Sequence, residues 1–202
     1  MREVWRQRLP YYAYGGIAQL IHTVSQATTR RQRRDLDLIG EPEARLLFRV
    51  TNFFNPSRIL QLGAATGVES VAMLAVNSHS RLFLYESQLE HKPLAVRVLQ
   101  SQLDRVECYD DVRVATDDYL APDGQNLLAL INAPVDVGVL YRLLDAHCVV
   151  VMRNLLRDSA MRALFDAGCD YMPMGQTFTN DKIALFLPNP KLQRENFLLW
   201  LN

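Results

Sequence analysis

Short apolar runs alternate along the chain with stretches whose apolar residues recur at helical spacing. The runs predict buried strands, and the run at 127–131 is unbroken, as expected of a central parallel strand that is covered on both faces. The third strand is predicted from the alternation of Val112 and Val114 with polar neighbours, and it is expected to end at 116–118. In chain order, five strands are predicted, at 59–62, 81–86, 112–116, 127–131 and 147–152.

Helical spacing between these strands predicts a helix after most of them, at 68–75, 90–103, 135–144 and 155–167. Gly168 is expected to end the last of these helices, as a glycine commonly does at a helix C-terminus. The alternation then breaks, because the apolar segments 171–174 and 182–187 are too close together for a helix between them. They predict an antiparallel hairpin with Pro173 at a sheet edge, followed by a short strand in the apolar tail at 197–201.

This order of elements predicts an α/β fold. We expect a doubly wound, mostly parallel seven-stranded sheet of the Rossmann-like type, with a C-terminal antiparallel hairpin and N-terminal helices. The domain prediction is an N-terminal helical extension at 1–40 and an α/β domain at 41–202, whose first helix opens at Glu41, Pro42 and Glu43. The extension is expected to cover the substrate side of the sheet.

The composition and net charge indicate which kinds of molecule the protein can bind. The chain has 202 residues, 49% of them hydrophobic, with 22 basic and 22 acidic residues, which is typical of a globular protein. The zero formal net charge makes nucleic acid an unlikely main partner, because domains that bind nucleic acid usually carry a basic excess. The basic run at 30–34 keeps two interpretations, a solvated helix face or a contact with an acidic partner or nucleic acid.

The expected location is cytoplasmic, with no membrane partner. No apolar run approaches the ~20 residues that a membrane-spanning helix needs. The segment 1–6 lacks the long apolar core of a secretory signal.

A turn of small residues at 63–67 joins the first strand to the helix that follows. Unpaired N–H groups at such a helix N-terminus favour an anionic or polar ligand. A dinucleotide turn needs glycine at its first, third and sixth positions, and only the first position fits here. The spacing of an S-adenosylmethionine turn needs small residues at the first, third and fifth positions, which fits better. The candidate cofactor-binding residues of the turn are Gly63, Ala64, Ala65 and Gly67.

Two carboxylates complete the predicted cofactor site. Glu86 ends the second predicted strand, where it can accept hydrogen bonds from ribose hydroxyls. Asp117 follows the third predicted strand, where it can accept from an adenine amino group. Both side chains also have a simpler interpretation as loop carboxylates without a ligand.

The sequence resembles a known family at this point. The order of elements, the segment 46–56 and the segment ILQLGAATGVES at 59–70 are similar to those of class I S-adenosylmethionine-dependent methyltransferases. More narrowly, they resemble small bacterial proteins related to the catechol-type O-methyltransferases, over residues 41–190. The resemblance implies S-adenosylmethionine as the cofactor and a methyltransferase (transferase) activity.

The departures from the family are informative. The family usually has an acid at the position of Gln61, and its metal-dependent members hold a divalent cation with an acid after the fourth strand and an acidic pair after the fifth. The matching positions here hold Asn132 after the fourth strand and Arg153 with Asn154 after the fifth. Because a hard cation prefers charged oxygen ligands, we expect no bound metal. These departures leave open whether the cofactor itself has been lost.

Two functions remain open from the sequence. The first is a metal-independent methyltransferase that acts on a small oxygen or nitrogen nucleophile, with the substrate and the catalytic residues unassigned. The second is a catalytically inactive methyltransferase-fold protein that serves as a binding or dimerisation module. A homodimer is a further expectation, with the aromatic N-terminal segment and the tail at 197–201 as contact surfaces.

Overall fold

The computed structural model of the protein describes residues 11–88, 92–121 and 126–199. Over these ranges, no helix is both long and apolar enough to cross a bilayer. Besides a 3₁₀ helix at Gln100–Arg105, the helices are α1 (Tyr11–Ala27), α2 (Arg30–Asp35), α3 (Glu41–Phe54), α4 (Val68–Leu74), α5 (Lys92–Val98), α6 (Val112–Leu120), α7 (Val137–Asp145) and α8 (Ser159–Tyr171).

Eight strands in the described ranges form one sheet, with the spatial order β3-β2-β1-β4-β5-β7-β6-β8. The first five are parallel, β7 runs antiparallel to β5 and to β6, and β8 runs parallel to β6. This confirms the doubly wound, mostly parallel sheet. The sheet has eight strands rather than the expected seven, because the strand predicted near the C-terminus joins it, at 195–198 rather than 197–201. The strands are β1 (Arg58–Leu62), β2 (Arg81–Tyr85), β3 (Val106–Tyr109), β4 (Leu127–Ile131), β5 (Val149–Met152), β6 (Gly175–Thr179), β7 (Ala184–Pro188) and β8 (Glu195–Leu198).

The strand order reverses between β1 and β4, and open α/β sheets bind their ligands at such a point, beyond the carboxyl ends of the strands. The register aligns four strands at this edge, since Leu62 pairs with both Tyr85 and Ile131, and Ile131 pairs with Met152. The next residue of each strand therefore meets the others at one edge of the sheet. These residues are Gly63, Glu86, Asn132 and Arg153.

The sheet is covered on both faces, so its strand residues alternate between two apolar cores. Ile59 and Leu128 belong to the core under α1, α3, α4 and α5, whereas Leu60 and Ala129 belong to the core under α6, α7 and α8. Burial of both faces explains why the central strands are apolar runs rather than alternating ones.

α1 packs on the helices of one face, and the link between α2 and α3 reaches the edge of the sheet. α1 packs on α3 and α4 through Ile17 and Val24, which join the core on that face. The link between α2 and α3 then carries Asp37 to an ion pair with Arg153, directly beyond β5. The division into an extension at 1–40 and a domain at 41–202 stays a prediction.

The predicted third strand at 112–116 is wrong, because this segment is helix α6. Asp111 caps α6, since its side chain accepts hydrogen bonds from the backbone N–H groups of Arg113 (2.7 Å) and Val114 (3.3 Å). Ala115 and Tyr119, four positions apart on one helix face, fill the core under α6. The third strand is the short β3, which lies before this cap.

The predicted end of the last helix was also wrong. α8 continues through Gly168 to Tyr171, and the first hairpin strand is β6 rather than 171–174, so Pro173 lies outside the sheet. A Cβ atom at Gly168 would lie 2.8 Å from Leu140 and 2.9 Å from Phe186. The glycine therefore allows close packing of α8 on α7 and β7, and it does not end the helix.

Gly168→Ala tests this packing. We expect the substitution to lower the free energy of unfolding by about 1–3 kcal/mol, because the added methyl group overpacks a filled core. Gly15→Ala is the matched control in α1, where a Cβ meets nothing within 4 Å. That exposed helical site should gain stability, by up to about 1 kcal/mol. Urea denaturation measures both, and a Gly168→Ala protein as stable as the control would contradict the packing.

Candidate functional site

The turn at 63–67 connects β1 to α4 with an unusual backbone. Gly63, Ala65 and Gly67 all have positive φ angles, of 92°, 46° and 79°. A Cβ atom at Gly67 would lie 3.0 Å from the carbonyl oxygen of Ala95, and one at Gly63 would lie 3.1 Å from the Cβ of Ala133. Both glycines are therefore required by conformation and by close packing, whereas Ala65 accepts a left-handed conformation that L-residues seldom adopt.

Gln61 fixes the turn from inside the sheet. Its side chain is fully buried, its Oε1 accepts a hydrogen bond from the Ser70 hydroxyl at 2.6 Å, and its Nε2 donates to the Gly63 carbonyl at 3.0 Å. An ionised carboxylate cannot donate to a carbonyl, whereas an amide both donates and accepts. The neutral amide at this position is thus matched to its surroundings.

Glu86 lies against the turn, at the end of β2. Only 5% of the residue is exposed, and its Oε2 accepts from the backbone N–H groups of Ala64 (2.8 Å) and Ala65 (3.3 Å). Its Oε1 accepts from the N–H of Gln88 at 2.7 Å. The structure therefore brings together Glu86 and the predicted turn residues, with the carboxylate bound to the turn itself.

Thr66 is the turn residue whose importance the sequence did not show. It is 1% exposed, and its hydroxyl has no hydrogen-bond partner among the described residues. Leaving a buried polar group unsatisfied typically costs about 1–3 kcal/mol. The hydroxyl is thus a group in the turn that a ligand atom or a water molecule can satisfy.

Asp117 does not lie where the sequence analysis expected it. It sits within α6, its side chain is 62% exposed, and it forms an ion pair at 2.5 Å with Arg142 of α7. The misassigned third strand is the reason for this error. The first carboxylates after β3 are Asp110 and the helix cap Asp111.

A buried ion-pair network lies beyond β5. Arg153 is 2% exposed, and its Nη1 lies 2.6 Å from Glu69 of α4. Its Nη2 lies 3.0 Å from Glu43 of α3 and 3.3 Å from Asp37 in the α2–α3 link. One guanidinium thus joins three carboxylates from three elements, and these acids were not identified from the sequence.

Opposing effects set the protonation of this network. Burial alone would lower the pKa of Arg153, but the carboxylates of Glu69, Glu43 and Asp37 outweigh it and raise that pKa, so the guanidinium stays charged. Burial raises the pKa of Glu69 above its ordinary value, although the adjacent Arg153 acts in the opposite direction. The pair at 2.6 Å therefore holds a buried carboxylate that depends on its arginine.

The positions expected to hold a metal in related enzymes form a hydrogen-bonded chain instead. Asn154 donates to the Asn132 carbonyl, Asn132 donates to the Gly63 carbonyl, both at 3.0 Å, and the Asn132 Oδ1 accepts from Arg153 at 3.3 Å. The described residues contain no group of three or more His, Cys, Asp or Glu side chains that could hold a metal ion. Two engaged amides and a guanidinium are a poor donor set for a hard divalent cation.

Similar solved structures identify the fold. The chain matches no model of a known protein family and no curated protein sequence. It is similar to the S-adenosylhomocysteine-bound methyltransferase PaMTH1 of Podospora anserina, with a TM-score of 0.65 and 13% identity, over 90% of this chain and 89% of that one.

Two bacterial structures agree with this result. The O-methyltransferase TomG of Streptomyces achromogenes, in complex with S-adenosylmethionine, has a TM-score of 0.59 and 15% identity, over 93% of this chain and 96% of that one. The O-methyltransferase of Bacillus cereus, in complex with S-adenosylhomocysteine, has a TM-score of 0.59 and 12% identity, over 90% and 93%. The protein therefore has the class I methyltransferase fold, and its resemblance to small O-methyltransferases is confirmed at the level of the fold.

Arg153→Met tests the network. The substitution keeps a long apolar side chain but leaves Glu69 buried without its cation, and breaking a buried pair in this way typically costs about 3–5 kcal/mol. We expect a loss of that size at pH 7 in urea denaturation. Arg162→Met is the control, because Arg162 pairs with Asp166 and Asp181 through half-exposed side chains, and such surface pairs contribute little.

The free energy of unfolding of Arg153→Met should depend on pH, and the pKa of Glu69 sets the direction of that dependence. Without Arg153, the pKa of Glu69 rises further, so the folded variant holds a proton that the unfolded chain releases. Its stability should then fall as the pH rises above the ordinary pKa range of glutamate. The deficit of Arg153→Met should be smaller at pH 5 than at pH 8, and adding Glu69→Gln should recover part of it at pH 8. A deficit that is independent of pH would contradict this account of the pair.

Proposed function

We propose that the protein binds S-adenosylmethionine at the turn and transfers its methyl group to a small oxygen or nitrogen nucleophile without a metal ion. The observation that carries this proposal is the position of Glu86, a buried carboxylate at the end of β2 that contacts the turn at 63–67. The comparison structures crystallised with S-adenosylmethionine or S-adenosylhomocysteine support the choice of cofactor.

The chain's own residues suit an adenosyl group. Glu86 offers acceptor oxygens to vicinal ribose hydroxyls, and the unsatisfied hydroxyl of Thr66 offers a further polar contact. Gly63 and Gly67 add no side chain at the two ends of the turn. These residues would hold S-adenosylmethionine, which would supply an electrophilic methyl group. The acceptor's lone pair would bond to its carbon as the carbon–sulfur bond breaks with its electrons going to sulfur, and the acceptor's proton would pass to water.

Arg153 supports a reaction without a metal. A cation at the edge of the sheet would have to displace a buried guanidinium that is already paired with three carboxylates. It would then find Asn132 and Asn154 engaged in hydrogen bonds to backbone carbonyls. Positioning of the acceptor against the methyl group then has to supply most of the rate, and well-oriented reactions can obtain much of their acceleration in this way.

The second candidate is a non-catalytic module with the same fold. It is favoured by the contact of Glu86 with the backbone of Ala64 and Ala65, because this contact stabilises the turn without a ligand. Binding of cofactor would need Glu86 to exchange some of these partners for ribose hydroxyls. The two candidates therefore differ in whether that exchange takes place.

Calorimetric titration with S-adenosylmethionine and S-adenosylhomocysteine separates the candidates. We expect binding to the natural chain and a weakening of about 10- to 100-fold in Glu86→Gln, because a hydrogen bond to a charged group contributes about 1.5–3 kcal/mol. Glu107→Gln, on the exposed strand β3, is the control and should bind normally. No heat and no rise in melting temperature at millimolar ligand would leave only the non-catalytic module.

Titration with Mg²⁺ tests metal independence. We expect no binding heat, and the affinity for S-adenosylmethionine should be the same in EDTA as in millimolar Mg²⁺. Saturable Mg²⁺ binding that Asn132→Ala and Asn154→Ala both abolish would contradict the proposal. The cofactor titration in EDTA keeps this outcome separate from a loss of cofactor binding.

A further inference from the structure

An arginine-lined cleft opens beside the candidate site. Its volume is about 760 Å³, and it lies between α2, the α2–α3 link and the start of α8. We call it the arginine cleft. Its lining residues are Arg30, Arg33, Arg34, Asp37, Leu38, Asn154, Arg157 and Asp158.

The two carboxylates of the cleft are already engaged. Asp37 pairs with Arg153 and Arg157. Asp158 caps α8 by accepting from the backbone N–H groups of Ala160 at 2.8 Å and Met161 at 3.4 Å. The acids of the cleft are therefore committed to the fold, and neither of them pairs with Arg30 or Arg34.

Some arginines of the cleft bind other parts of the protein, and others can bind a ligand. Arg33 donates to the backbone carbonyls of Ser25 and Thr28 and so holds α1 to α2. Arg34 has only an exposed neighbour, Asp35, at 3.7 Å, and Arg30 forms no ion pair within the described part of the chain. The cleft thus presents Arg30 and Arg34, together with the outer part of Arg157, to a ligand.

A chain of hydrogen bonds connects the cleft to the cofactor turn. Asn154 lines the cleft and donates to the Asn132 carbonyl at 3.0 Å, and Asn132 donates to the Gly63 carbonyl at 3.0 Å. The cleft and the turn therefore share one edge of the sheet and are separated by two asparagines. A molecule bound in the cleft would approach the turn from the side of β5.

We propose that the arginine cleft binds the anionic group, phosphate or carboxylate, of the methyl acceptor. This inference rests on the proposed methyltransferase function and assigns a substrate class to it. Guanidinium groups bind these oxyanions through paired hydrogen bonds, and Arg30 and Arg34, one helical turn apart on α2, can serve one such group. The acceptor is thus a small acidic molecule. Its anionic group lies in the cleft, and its nucleophile reaches past Asn154 toward the turn at 63–67.

A small anion fits the cleft better than nucleic acid does. The chain has no net charge, and the basic residues that line the cleft form a concave site that also contains two acids. Arg31 belongs to the same basic run and is as exposed as Arg34, but it does not line the cleft. A polyanion-binding surface would use Arg31 as much as its neighbours.

This difference gives a matched pair of variants, because Arg34→Gln and Arg31→Gln each remove one charge and one contact to Asp35. The probes are pyrophosphate and citrate, titrated calorimetrically at constant ionic strength. We expect at least one of them to bind the natural chain and to bind about 10-fold more weakly to Arg34→Gln and to Arg30→Gln. Arg31→Gln should bind as the natural chain does.

The probes distinguish phosphate from carboxylate as the recognised group, and a DNA duplex of about 20 base pairs completes the test. The proposal is overturned if neither small anion binds, or if Arg31→Gln weakens binding as much as Arg34→Gln. It is also overturned if the duplex binds more tightly than the anions, with equal dependence on Arg30, Arg31 and Arg34.

Cofactor titration on the same variants separates this inference from the proposed function. All three arginine variants should bind S-adenosylmethionine normally, since none of them contacts the turn. Anion binding that depends on Arg30 and Arg34, in a chain that does not bind the cofactor, would support the anion site and refute the methyltransferase. Cofactor binding without anion binding would refute the anion site alone.

Discussion

The buried guanidinium of Arg153 is the constraint on which the edge of the sheet depends. A charge that is taken out of water is costly unless partners surround it, and its partners here come from the α2–α3 link, α3 and α4. Because the guanidinium needs these carboxylate partners, it fixes the N-terminal part of the chain against β5. The ion pairs of Arg153 therefore close one side of the candidate site. They also position the α2–α3 link, which lines the arginine cleft.

The residues that depart from the methyltransferase pattern form one connected set. Gln61 donates to the Gly63 carbonyl, Asn132 donates to the same oxygen, and Asn132 in turn accepts from Arg153. Each neutral or basic residue supplies donors that a carboxylate at its position would lack. Such matching does not arise when residues change independently, because a half-satisfied buried network is more costly than none. The donors and acceptors at this edge of the sheet therefore match one another, although they differ from the family pattern.

The sequence predicted most of the sheet because its apolar runs reflect burial on both faces, as in β1 and β4. It failed where one local pattern fits two structures: the spacing at 112–116 also suits a helix, and Gly168 suits a helix end as well as a close contact. The Arg153 network was beyond prediction for a different reason. Glu69 is 84 residues from Arg153 in sequence, and Glu43 is 110 residues away. No local pattern connects them, so only the register of β1, β4 and β5 brings them together.

A reaction without a metal, as proposed for this protein, changes how an acceptor has to be held. A divalent cation orients an acceptor through its reacting oxygen, whereas the charge of Arg153 is spent on its three carboxylates and is buried. More exposed positive charge lies on Arg30 and Arg34 of the arginine cleft. An acceptor held there by an anionic group, as proposed, would keep its nucleophile uncoordinated, so its reaction would depend on a rigid path to the methyl group. Asn132 and Asn154, fixed by hydrogen bonds to the backbone, provide the rigid wall along that path.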